Sequence, residues 1–143
     1  MRCLVISFLG LSLVACGPSA EVDAREAEVA TVLSRADDVL LHTRPSLVAG
    51  KYARMATTPF DFYRGSLALF RHDWELGKAS RSNFVDGLAP VFGLGDPHPE
   101  NFGILIAPDS SAALEPNDFD SADRVPYLFD LRRLTVGLAL GAR

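Results

Sequence analysis

Asp96, His98 and Asn101 fall within one short stretch, Gly93-Leu94-Gly95-Asp96-Pro97-His98-Pro99-Glu100-Asn101-Phe102-Gly103. Two more carboxylates, Asp118 and Asp120, follow in Asn117-Asp118-Phe119-Asp120. If the chain gathers Asp96, Asn101 and Asp118, it presents two carboxylates and an amide oxygen in a small volume. Magnesium is a hard ion that takes such oxygens, completing its shell with water and substrate phosphates. A separate aspartate can then orient a hydroxyl that attacks a phosphate. The chemistry these residue types suit is phosphoryl transfer. The plain alternative is conformational, because Pro, Gly, Asp and Asn are also the common turn formers.

The elements around these loops decide whether the residues meet. Val91 to Leu94 is an apolar run suited to a buried strand, and Phe102 to Ile106 is another. Pro108-Asp109-Ser110-Ser111 is turn chemistry, and Ala112 to Glu115 can return as the hairpin partner of 102–106. The open end of that hairpin would carry Asp118 back toward Asn101. Before the loops, residues 20–42 show an apolar stripe at Val22, Val29, Val32, Leu33, Ala36 and Leu40, which predicts an amphipathic helix ended by Arg44-Pro45. Residues 51–59 read as turn-like. A second helix is expected from Phe60 to about Trp74, with Leu67, Phe70 and Trp74 on one side. A third is expected over 127–142, with a stripe of Leu128, Leu131, Leu134, Leu138 and Ala142. This stripe runs to the end of the sequence with nothing after it to cover it, so the chain reads as a fragment of a longer domain. The expected fold class is α+β, a small antiparallel sheet with flanking helices.

The first residues differ in kind. Met1-Arg2 carries one positive charge, and Leu4 to Val14 is continuously apolar, a length that suits a secretory signal core better than a membrane span. Leu13-Val14-Ala15-Cys16 closes it and resembles the bacterial lipobox, in which the cysteine is lipidated and becomes the new N-terminus. Cys3 and Cys16 are the only 2 cysteines, so the remainder can form neither a disulfide nor a thiolate metal site. The expected location is a bacterial membrane, as a lipoprotein anchored through Cys16 on its periplasmic or extracellular face. An ordinary signal peptide, or a strand, is the alternative.

The step from Asp96 to Asn101 equals that from the base aspartate to the metal asparagine in the kinase loop H-R-D-x-x-x-x-N. Gly95-Asp96-Pro97-His98-Pro99-Glu100-Asn101 resembles the G-D-x-H-x-x-N loop of aminoglycoside and choline phosphotransferases, and Asn117-Asp118-Phe119-Asp120-Ser121-Ala122 resembles their metal-binding strand end. Closer still, the order Phe62-Tyr63-Arg64-Gly65, the 95–103 loop, Asn117 to Asp120, and Asp130-Leu131-Arg132-Arg133-Leu134 resembles a bacterial family known as domain of unknown function 2252. The resemblance spans about 51–143, after a signal segment at 1–16 and a helical leader at 17–50. It implies a partial protein-kinase-like catalytic lobe that uses Mg²⁺ and ATP or another nucleotide on a small-molecule hydroxyl. It implies Asp96 as the catalytic aspartate and Asn101 and Asp118 as metal ligands. Asp120 would be a second ligand or a turn cap. Arg64 would contact phosphate or form a salt bridge, while His98 and Asp130 would brace the loop.

Composition narrows the other classes. The net charge of −4 and the absence of a basic run give no footprint for nucleic acid. A metal-dependent phosphoesterase would need several further histidines, and only His98 follows residue 72. A non-catalytic, membrane-anchored binding protein, or a degenerate relative of the kinase-like enzymes, is the remaining alternative.

Overall fold

In the computed structural model, the residues described are 20–78 and 89–142, together with the backbone of 3–8 and 11–16. The architecture is α+β: six α-helices, one 3-10 turn and three two-stranded antiparallel sheets among these residues. Strands β1 (Cys3–Phe8) and β2 (Leu11–Cys16) pair in register Cys3↔Cys16. The Cys16 side chain lies outside the described set.

Helix α1 (Ala20–Ala36) contributes Leu33 to a core with Met55 and Leu69, against which Val29, Val32 and Tyr52 pack. The outer members of the expected stripe, Val22 and Leu40, are 46% and 42% exposed, so the buried face is shorter than the sequence pattern. Ion pairs staple α1 to α5 (Leu67–Glu75): Arg25 holds both Asp73 oxygens, at 2.8 and 2.5 Å, and Glu28 meets His72 and Lys78. These partners hold the Glu28 carboxyl down at about 2, with the Lys78 hydrogen bond as the largest cause.

The region expected to be turn-like is largely helical. After α2 (Asp38–Thr43), Pro45 opens α3 (Pro45–Met55) instead of only ending what precedes it. The first helical position has no intrahelical use for an N–H, and proline's fixed φ suits it. The turn is confined to 56–58. There Thr58 caps α4 (Pro59–Gly65), its hydroxyl oxygen accepting from the Asp61 amide at 3.0 Å. The expected single helix over 60–74 is two helices, broken at Ser66, whose φ −108°, ψ 31° leave the helical region. A Cβ on Gly65 would stand 2.4 Å from Met55 Cγ, so α4 crosses close over α3 and a larger residue would force the Met55 side chain to shift.

Strand β3 (Val91–Gly93) pairs with β6 (Asp123–Val125), a short strand without the alternation that would mark it in the sequence. Strands β4 (Phe102–Ile106) and β5 (Ala112–Pro116) form the expected hairpin, in register Phe102↔Pro116. Asp109 Oδ1 ties its turn by accepting from the amide and hydroxyl of Ser111 at 2.9 and 2.7 Å.

Helix α6 (Tyr127–Gly141) occupies the expected span but buries a different line. Leu128, Phe129, Arg133 and Gly137 are buried, while Leu131 and Leu138 are 50% and 54% exposed. Phe129 meets Phe70 and Trp74 edge-on, with ring centroids 4.7 and 5.4 Å apart. Among the described residues, no helix is long and apolar enough to cross a membrane.

Candidate functional site

The 95–103 loop leaves β3 through two glycines that no other residue can replace without movement. A Cβ on Gly93 would lie 2.7 Å from Asp130 Oδ2. Gly95 has φ +78°, and a Cβ there would sit 1.9 Å from the Ser121 carbonyl oxygen. The loop backbone is bound from behind by α6. Leu94 N–H donates to Asp130 Oδ2 at 2.6 Å and Gly95 N–H to Asp130 Oδ1 at 3.0 Å.

Asp96 follows, and its partner is a residue the sequence reading overlooked. Arg133 Nε donates to Asp96 Oδ1 at 2.5 Å. The Arg133 side chain is 1% exposed and lies between the Tyr63 and Phe70 rings, 4.3 and 5.5 Å from their centroids. Its Nη2 also donates to the Tyr63 carbonyl at 3.0 Å. The Tyr63 hydroxyl returns the contact by donating to the Arg133 carbonyl, and burial pushes its pKa up to about 12. A buried charge is tolerable only with this degree of pairing and hydrogen bonding. The signal available in the sequence was an arginine pair, Arg132-Arg133, inside an otherwise apolar helix.

A 3-10 turn, Pro99–Asn101, ends the loop, and the Asn101 amide N–H donates to the His98 carbonyl at 2.9 Å. Asn101 Nδ2 donates to the Asp96 carbonyl at 3.0 Å. Because a carbonyl only accepts, the NH₂ of Asn101 must face it, and the amide oxygen is the atom left for a ligand. Beyond the last β4–β5 pair, Asn117 N–H donates to the Asn101 carbonyl at 3.0 Å. That extra rung sets Asp118 beside Asn101. Asp118 Oδ1 accepts from the Asp120 amide at 3.1 Å, an Asx-type turn.

Asp96, His98, Asn101, Asp118 and Arg64 line one cavity of about 590 Å³. Its other wall is α3 and the start of α4, including Ser46, Gly50, Lys51, Arg54 and Asp61. Arg64 also pairs with Glu100 at 2.5 Å, the salt bridge that was one of the two roles expected for it. Asp120 stands apart. Its side chain lines a separate cavity of about 280 Å³ with Arg71 and Asp123. The Asx turn explains the difference: Asp118 caps the turn through the Asp120 amide, and the Asp120 side chain faces another way.

Among the described residues, no hydrogen bond from the His98 side chain braces the loop. His98 is 3% exposed, its Nδ1 has no partner, and burial lowers its pKa. The hydrogen bonds that hold the loop come from Asp130, Arg133 and Asn101. Among the described residues, no three His, Cys, Asp or Glu side chains assemble as a metal-holding group. The donor set is one carboxylate and one amide at residues that line the cavity, which fits magnesium's habit of keeping water and substrate oxygens in its shell.

No curated protein and no solved structure matches the chain. A family model described as "Uncharacterized protein conserved in bacteria (DUF2252)" matches residues 43–143, from the start of α3's approach to the end of α6. The match covers the loop, the hairpin, the braces and both walls of the cavity, and the chain belongs to this bacterial DUF2252 family.

Proposed function

We propose that this chain carries a kinase-like phosphotransferase site acting on a hydroxyl of a small molecule. The observation that carries the reading is the shared cavity. Asp96 and Asn101 from one loop and Asp118 from beyond the hairpin line one space together with Arg64. Asp96 presents a carboxylate fixed on one oxygen by Arg133, which leaves the other to orient an attacking hydroxyl. Asn101 and Asp118 would hold Mg²⁺, which supplies charge neutralisation to the phosphates of ATP or another nucleotide when bound. Arg64 would add a cation to the phosphate end, exchanging Glu100 for the ligand.

The same reading anchors the protein at a bacterial membrane, on the periplasmic or extracellular face, through lipid on Cys16. Its support is the Leu13-Val14-Ala15-Cys16 sequence after the apolar stretch. Incorporation of labelled palmitate, lost in Cys16→Ala, tests that part.

The site is tested by thermal shift on the full chain with Mg²⁺ and ATP or GTP. Stabilisation is expected in the wild type and its loss in Asp118→Ala. No shift with either nucleotide overturns the reading.

A further inference from the structure

We propose that the α3 wall of this cavity is a subsite for a small organic anion, with Arg54 as its anchor. The charged groups of the cavity are nearly all engaged within the protein. Lys51 Nζ donates to both oxygens of buried Asp37 at 2.8 Å, and Arg64 is paired with Glu100. Asp61 is held by the Thr57 and Thr58 hydroxyls at 2.6 and 2.5 Å, and Asp96 by Arg133. Arg54 lines the same space and, although its charge acts on Asp61, makes no side-chain hydrogen bond or close ion pair among the described residues. A planar, always-charged fork of donors matches a carboxylate or phosphate in two-point fashion.

The helix shapes the rest of the subsite. Ser46, Gly50 and Arg54 recur every fourth position and so stand in one line along α3. A Cβ at Gly50 would meet nothing within 4 Å, which leaves an open floor between the Ser46 hydroxyl and Arg54. The ligand class follows from the charge and shape of this wall: a small anion for Arg54. As the acceptor of the proposed phosphotransfer this ligand rests on that reading; as a binding site it does not.

The test is calorimetric binding to the full chain, in EDTA and without nucleotide, of glycerol 3-phosphate, D-glycerate and uncharged glycerol. At least one of the two anions is expected to bind ten times or more tighter than glycerol, and which one does so tells phosphate from carboxylate. Arg54→Gln should weaken that anion at least tenfold, Arg54→Lys by less, and exposed Arg35→Gln should leave it unchanged. Gly50→Leu, which has room to fold, should block it. Equal binding of anions and glycerol, no binding of either anion, or an Arg54→Gln effect within twofold overturns the proposal. Because magnesium and nucleotide are absent, failure of nucleotide binding in the earlier test leaves this outcome untouched.

Discussion

Arg133 Nε and Asp96 Oδ1 stand 2.5 Å apart across 37 residues of sequence, and the arginine is the most buried large side chain of the molecule's described part. The candidate catalytic carboxylate is therefore tied to the middle of helix α6. Arg133→Ala would strand Asp96 and open a void between Tyr63 and Phe70. The expected loss of stability is about 3–5 kcal/mol, as for other broken buried pairs. Arg133→Met, which refills the space, should lose less. Urea unfolding of both variants measures the difference, and equal costs would mean that the lost charge pairing, not packing, dominates.

Asp130 satisfies two loop amides at once. Asp130→Ala leaves both without acceptors, at about 1–3 kcal/mol for each buried donor left unpaired. Asp130→Asn keeps one acceptor and should fall between. Amide hydrogen exchange at Leu94 and Gly95 is the direct readout, with faster exchange at both positions expected in the alanine variant.

Gly95 combines φ +78° with a backbone oxygen where a Cβ would be. Gly95→Ala pays about 1–2 kcal/mol for the left-handed conformation alone, before any movement of the 121 carbonyl. The thermal midpoint should drop by several degrees, and magnesium-nucleotide stabilisation should vanish with it. Gly50→Ala, on an open helix face, serves as the contrasting substitution and should raise stability slightly.

His98 gives the fold an acid sensitivity. Burial lowers its pKa below the ordinary 6.5, outweighing the Asp96 and Glu100 charges that raise it; Arg64 and Arg133 add to the lowering. The unfolded chain therefore takes up a proton first as pH falls, and stability decreases from about pH 7 downward until the folded-state pKa is passed. Asp61 and Asp109, whose carboxyls are lowered by hydroxyl and amide hydrogen bonds, add their own loss only at lower pH. Unfolding curves between pH 7.5 and 5.5 should show a slope that His98→Gln removes. A slope unchanged in His98→Gln would assign the sensitivity elsewhere.

Much of the site could be read from residue types, because turn chemistry and spacing are local. The β4–β5 hairpin and its return of Asp118 to Asn101 follow from a Pro-Asp-Ser-Ser turn between two apolar runs. Asp120 was harder, since whether its carboxylate or its amide is used depends on one turn's geometry. Helix α6 misled for a physical reason. Its leucines at 128, 131, 134 and 138 make an apolar stripe by period, but the buried line runs 128, 129, 133 and 137, leaving Leu131 and Leu138 exposed. The aromatics of α4 and α5 face that line, and Asp96 neutralises the arginine on it; neither partner is visible from the helix alone. Arg54 escaped notice because it falls in a segment whose proline reads as a stop, when it is also a start.

Asp130 and Arg133 lie one helical turn apart, and together they fix three successive loop residues, 94 to 96. Gly137, a turn further, lets Tyr63 and Pro99 close on the same helix, where a Cβ would sit 3.1 Å from each. The loop's conformational entropy is thus surrendered during folding, not at the moment of encounter. A ligand arriving at Asp96 meets a surface already frozen in place, and its affinity is not diminished by the need to order it.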